Sequence, residues 1–117
     1  MKTLSWAEAV ASFEGRALGD AAAFLPLLAV AEFLAASRYA RSLQPAMDGA
    51  VLVLRHTGDA AGAEVRVGFD ARTHQFTLTH LQRPGDPRPW TRECGENEWQ
   101  AALERLFHKR LQWFHEG

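Results

Sequence analysis

The side chains that could bind a metal or attack a carbonyl are the histidines and one cysteine, Cys94. His56 and His80 fall two strands and one pair apart in the register derived below, roughly 10 Å at the usual strand spacing. Tetrahedral zinc holds its ligands ~2 Å from the metal, so these two cannot share one. His108 and His115 are seven apart on a helical pattern, two turns from each other and too far to chelate. No metal and no cofactor is expected. A nucleophilic Cys94 would need a base beside it and a lowered pKa. Glu93 and Glu96 would push the thiol the other way, so a small residue at a strand end is the simpler reading. Asp59 and Asp70 stand in hairpin loops, where Asp favours the turn itself. Glu93, Glu96 and Glu98 crowd the start of a helix, where negative charge complements its dipole. No glycine-rich phosphate loop is present. Nothing here assembles a catalytic constellation.

What remains is recognition chemistry. Arg83-Pro-Gly-Asp-Pro-Arg-Pro-Trp-Thr-Arg92 puts Arg83, Arg88, Arg92 and Trp90 on one proline-stiffened stretch. Arg and Trp dominate binding hot spots, and arginines beside an aromatic can also grip single strands. The structural alternative is that Trp90 enters the core and the arginines are solvated. Val51 and Val53, on the open face of a sheet with Thr77 and Thr79, form a second surface that a partner could cover without desolvating much charge. Trp113 lies off the buried stripe of the last helix and, if exposed, would suit a homodimer contact.

The elements that position these residues are legible in part. Ala50 to Gln82 reads as two successive β-hairpins, with Gly58-Asp59 and Asp70 to Thr73 breaking runs of strand formers. Pairing Arg55 with Glu64 puts Leu54 opposite Val65 and Leu52 opposite Val67. A loop over Ala71 to His74 puts Phe69 opposite Phe76 and Val67 opposite Leu78. A slip by one would place apolar residues among charges. Ser5-Trp6-Ala7-Glu8 is a capping box opening a short helix that Gly15 is expected to stop, with Arg16 to Asp20 a linker. A second helix is expected over Ala22 to Leu43. Either a loose turn precedes it and Pro26 lies in its first turn, the preferred reading, or it starts at Asp20 and bends near Pro26. Gln44 to Gly49 reads as a turn, and Trp90 to Cys94 as an optional edge strand. The last twenty residues read as a helix capped by Asn97, with Trp99, Leu103, Leu106, Phe107 and Phe114 inward and Glu104, Arg105, His108 and Lys109 in water.

The expected fold is therefore α+β over residues 1–117 as one domain. Two N-terminal helices precede an antiparallel sheet of three to four strands, and a C-terminal helix packs on one face. With 117 residues, 47% apolar content and a net charge of -1, the composition excludes disorder and any global attraction to nucleic acid or anionic lipid. The apolar run Ala21 to Leu34 is too short for a membrane span and contains Pro26 and Glu32. A lone cysteine fits the reducing cytoplasm, and the Ala-, Arg- and Leu-rich usage fits a GC-rich bacterial source. The function expected is a non-enzymatic protein-binding accessory (inhibitor, immunity-type, chaperone or adaptor) acting through the arginine loop or the open sheet face. Its partner would be another protein or a second copy, rather than nucleic acid or membrane. The alternative is a small-ligand-binding or enzymatic domain whose pocket lies between sheet and helices, lined by Phe69, Phe76, His80, Trp99 and Phe107.

Overall fold

In the computed structural model, which describes residues 2–114, the chain begins with the reciprocal cap. Ser5 Oγ accepts from Glu8 N–H at 3.1 Å and the Glu8 carboxylate accepts from Ser5 N–H at 3.0 Å. These bonds hold the Glu8 carboxyl below the usual carboxylate range. Helix α1 (Trp6–Gly19) runs past the expected stop, because Gly15 keeps a helical conformation instead of the left-handed one that ends helices. The stretch from Arg16 to Asp20 is thus no linker. Asp20 joins two helices directly: its N–H closes α1 on Arg16 C=O at 2.9 Å, and its carboxylate accepts from Ala23 N–H at 3.2 Å to open α2 (Ala21–Ala36). That cap lies upstream of the preferred start and matches the alternative one at Asp20, and it leaves Pro26 inside α2, not in its first turn. The Ala22 carbonyl consequently lacks its helical donor. Ser37 stops α2 well short of Leu43, and a 3-10 turn (Arg38–Arg41) leads into the sheet.

Among the described residues the sheet has five strands in sequence order, all antiparallel: β1 (Leu43–Asp48), β2 (Val51–His56), β3 (Glu64–Asp70), β4 (Gln75–Leu81) and β5 (Trp90–Gly95). The strand beyond the expected count is β1, where a turn was expected. Asp48 pairs with Val51 around a two-residue turn in which Gly49 has φ +60, so the break at Asp48-Gly49 is a hairpin tip. Pro45 is tolerated because β1 is an edge strand and its ring nitrogen points away from β2. The outer side of β1 is partly covered by the N-terminal segment, where Thr3 bridges Ala46 and Leu4 N–H donates to Pro45 C=O at 2.8 Å. The register of the two central hairpins is the expected one, with Arg55 opposite Glu64 and Phe69 opposite Phe76.

Alternation puts Leu52, Leu54, Val65, Val67, Phe76 and Leu78 on the inner face. There they pack, fully buried, against Phe13 of α1, the Leu27-Val30-Ala31-Leu34 stripe of α2, and Leu103 and Phe107 of the C-terminal region. Each such side chain contributes about 1.5–3 kcal/mol of burial. The outer face carries Arg55, Glu64 and Arg66 as expected, but they close over it more than an open face would allow. Arg66 on β3 reaches across β2 to Asp48 on β1 (2.8 Å) and also holds Glu64 (3.2 Å), which Arg55 grips as well. Beneath this lattice Val53 is 0% exposed, and only Val51 of the pair keeps a partly accessible side chain.

The C-terminal helix is shorter than its pattern. Helix α3 (Trp99–Arg105) starts after Glu98, not on an Asn97 cap, and Glu98 instead turns back to accept from Gly95 N–H at 3.1 Å. The helix widens into a π turn (Leu106–Arg110), in which Leu111 N–H donates to Leu106 C=O at 2.9 Å. Gln112, at φ +54, then reverses the chain. The reversal carries Trp113 back onto the core, only 9% exposed, with Nε1 donating to Asp59 at 2.8 Å and its ring stacked on His56 and Phe107. Trp113 is therefore buried, and the exposure that would have suited it to a homodimer contact is not found. His108, expected in water, is half-buried. It donates from Nδ1 to Phe114 C=O (3.2 Å), while Nε2 accepts from the Tyr39 hydroxyl (2.9 Å). His115 lies outside the described residues. Among the described residues no helix is long and apolar enough to cross a membrane.

Candidate functional site

Strand alternation puts Trp90, Arg92 and Cys94 of β5 on the inner face of the sheet, at its edge. Facing them, Ala102, Arg105, Leu106 and Lys109 recur at i, i+3, i+4 and i+7 and so share one side of the helix. The π turn adds Arg110 to that side. Between strand and helix lies a cleft of about 290 Å³ with Ala102 and Leu106 as its floor, Trp90 as an aromatic wall, and Arg92, Arg105, Lys109 and Arg110 around it.

Arg110 is held in place twice. Its guanidinium lies 4.7 Å from the centre of the Trp90 ring, and its Nε donates to His80 Nδ1 at 3.0 Å. His80 is 6% exposed, and its pKa is pushed below the ordinary histidine value by burial first and by the Arg110 charge second. A neutral imidazole with Nδ1 as acceptor is the form that orients an arginine. None of the four cations forms an ion pair with a carboxylate among the described residues; the ion pairs lie elsewhere, at Arg55, Arg66, Arg72 and His74. Four like charges around a partly apolar cleft raise its potential and favour an anion there.

The loop leading into β5 is built on Asp86. Its carboxylate accepts from the N–H groups of Arg88 and Gln82, both at 2.9 Å, which lowers its pKa, and Gly85 at φ +74 makes the bend. Arg83 and Arg88 are exposed on this loop, whereas Trp90 is half-buried. Of the residues singled out by sequence, the structure brings Trp90 and Arg92 into the cleft and leaves Arg83 and Arg88 on the approach to it. It sets Val51 and Val53 on the opposite face of the sheet and locks Trp113 into the core. Sequence reasoning missed the contribution of the helix: Arg105 and Lys109 read as a solvated face. The signal was the stripe Ala102-Arg105-Leu106-Lys109, which interleaves cations with apolar residues.

Of the residues expected to line a pocket between sheet and helices, Phe76 and Trp99 border an open cleft with Leu25, Pro26 and Ala29 of α2, whereas Phe107 lies in the packed core. Phe76 and Phe107 are at most 1% exposed, and the Phe76 ring lies 4.8 Å from Phe69 and 5.8 Å from Trp99. Cys94 is buried, and its thiol pKa is raised by burial first, with Glu98 adding and Arg92 opposing, so it is a poor nucleophile. His56 Nδ1 accepts from Gly58 N–H at 3.0 Å. Among the described residues no three His, Cys, Asp or Glu side chains converge as metal ligands. Comparison with protein-family models, with curated proteins and with solved structures finds no match.

Proposed function

We propose that this chain is a non-enzymatic binding protein, of the inhibitor, immunity, chaperone or adaptor kind, that receives an acidic segment of another protein in the cleft between β5 and α3. The observation that supports it is the set of four cations around Trp90 that have no carboxylate partner among the described residues. Arg and Trp are the side chains that give interfaces most of their energy. Arg110 is already ordered by His80 and Trp90, so less conformational freedom is lost when a carboxylate arrives. Arg83 and Arg88, on the adjoining loop, extend the positive field and speed encounter more than they hold the complex.

The test uses the purified protein as bait beside an Arg105→Glu, Lys109→Glu double variant. Both positions are solvent-exposed, so the double variant is expected to melt within a few degrees of the native chain. A stoichiometric partner that the native protein retains at low salt, and the double variant loses, supports the reading. Equal capture by both overturns it. Arg88→Ala and Trp90→Ala should weaken the same complex while leaving the fold intact. The rival reading, a small anionic ligand, draws on the same cleft, whose volume is at the low end for ligand sites of ~300–1,000 Å³. Melting shifts with phosphate esters that exceed those with acidic peptides would favour it.

A further inference from the structure

We infer that the acidic segment binds as an added strand along the free edge of β5, with carboxylates at every second position. The inference rests on the reading of the cleft as a site for an acidic protein segment, and adds the conformation and sequence pattern of what it takes.

The direction of the β5 backbone groups follows from both ends of the sheet. On the far edge, Pro45 C=O accepts from Leu4 N–H, so the backbone of Pro45 faces away from β2. Pairing carries that phase through Leu54, Val65 and His80 to Trp90, because the groups of successive residues in an antiparallel strand point alternately to its two neighbours. Trp90, Arg92 and Cys94 then bond to β4, and Thr91, Glu93 and Gly95 face outward. Gly95 shows the same phase independently, since its N–H goes to Glu98 Oε1 (3.1 Å) and its C=O accepts from Glu98 N–H (3.0 Å). Thr91 and Glu93 are left exposed, and their outward N–H and C=O groups have no partner among the described residues. Four backbone groups therefore await a strand. The opposite edge already has its addition, the Thr3–Leu4 segment on β1.

A strand added at ~4.8 Å from β5 would place alternate side chains on the inner face, beside Trp90 and Arg92 and over Arg105 and Lys109. The charge there selects carboxylates at that spacing. A second copy of this chain is the poorer occupant, because its own β5 would bring another Arg92 and another cationic cleft against the first.

The test uses two capped synthetic peptides of equal composition, one alternating Asp with Val and one with the Asp residues in a block. Amide hydrogen exchange is read residue by residue on the intact protein. The alternating peptide should bind at least tenfold tighter than the block and slow exchange at Thr91 and Glu93 at least tenfold. Methylating its alternate backbone nitrogens on the pairing side should abolish both effects. Thr91→Pro removes one outward N–H at an edge position of the kind Pro45 already occupies, and should weaken binding while the melting temperature holds. Binding of both peptides with no change at Thr91 and Glu93 overturns the added strand and leaves the acidic-segment reading standing. Binding of neither overturns both. Protection at Thr91 and Glu93 in the peptide-free protein, with the mass of a dimer, assigns the edge to a second copy and overturns the inference.

Discussion

Trp113→Ala tests whether the reversal at Gln112 is a clamp on the core. Trp113 is 9% exposed, its ring centroid lies 5.5 Å from His56 and 6.0 Å from Phe107, and its indole N–H is bonded to Asp59. Truncating a buried Trp costs about 3–5 kcal/mol, from lost transfer energy and the cavity left behind. Unfolding entropy of ~2.1 cal/mol/K per residue makes each kcal/mol worth about 4 °C in a chain of 117 residues. The variant should therefore melt about 12–20 °C lower. Trp113→Phe keeps a ring against His56 and Phe107 but drops the bond to Asp59, and should lose about 1–2 kcal/mol, the bond itself contributing about 1. Urea unfolding followed by far-UV circular dichroism measures both without interference from the other three tryptophans. A loss under 1 kcal/mol for Trp113→Ala would refute the clamp. So would an unchanged melting temperature with a halved mass in solution, the signature of an exposed dimer contact.

Glu64→Gln leaves Arg55 and Arg66 facing a neutral amide. Breaking a fully buried pair costs ~3–5 kcal/mol, but these guanidinium groups keep water contact, with side chains 37% and 29% exposed, so a loss of about 1–3 kcal/mol is expected in urea titration. His80 has a native pKa below its unfolded value of about 6.5, so the folded state binds fewer protons and stability falls as pH drops from about 6.5 through the lowered native value. His80→Asn keeps an acceptor for Arg110 but does not titrate, and melting curves from pH 7.5 to 5 should show a shallower acid loss than the native protein. Pro26→Ala restores a donor for the Ala22 carbonyl at a partly exposed position, and should raise stability by about 1–3 kcal/mol in the same titration.

The hairpin registers were legible because charge and alternation agreed: only one pairing sets Arg55 on Glu64 and keeps Val65 and Phe76 inward. β1 was hidden because a proline and an Asp-Gly pair look the same in an edge hairpin as in a plain turn; the difference is which way Pro45 points. Gly15 looked like a stop, but a helix ends at glycine only when the next turn needs a left-handed residue, and here Asp20 supplies the junction. The chain reversal near the C-terminus left no glycine as a mark, since Gln112 adopts the positive φ that tertiary packing of Trp113 enforces. Half of the cationic cleft was visible as Trp90 and Arg92. The other half depends on how α3 is seated against β5, a tertiary relation that no local pattern encodes.

The strict sequential order of the strands has a consequence for synthesis. Each strand's partner is the next to leave the ribosome, so the sheet zips up locally as it emerges. Helix α2 cannot share in this. Its sole charged residue is Glu32, and its Leu27-Val30-Leu34 stripe has no sheet to cover until β3 and β4 are made. At about 5–20 residues per second the nascent chain carries that apolar helix, covered on one side only by α1, for seconds. The hazard to yield is thus greatest during translation, and a ribosome-associated holdase, more than added ligand or lower temperature, is what should raise the soluble fraction.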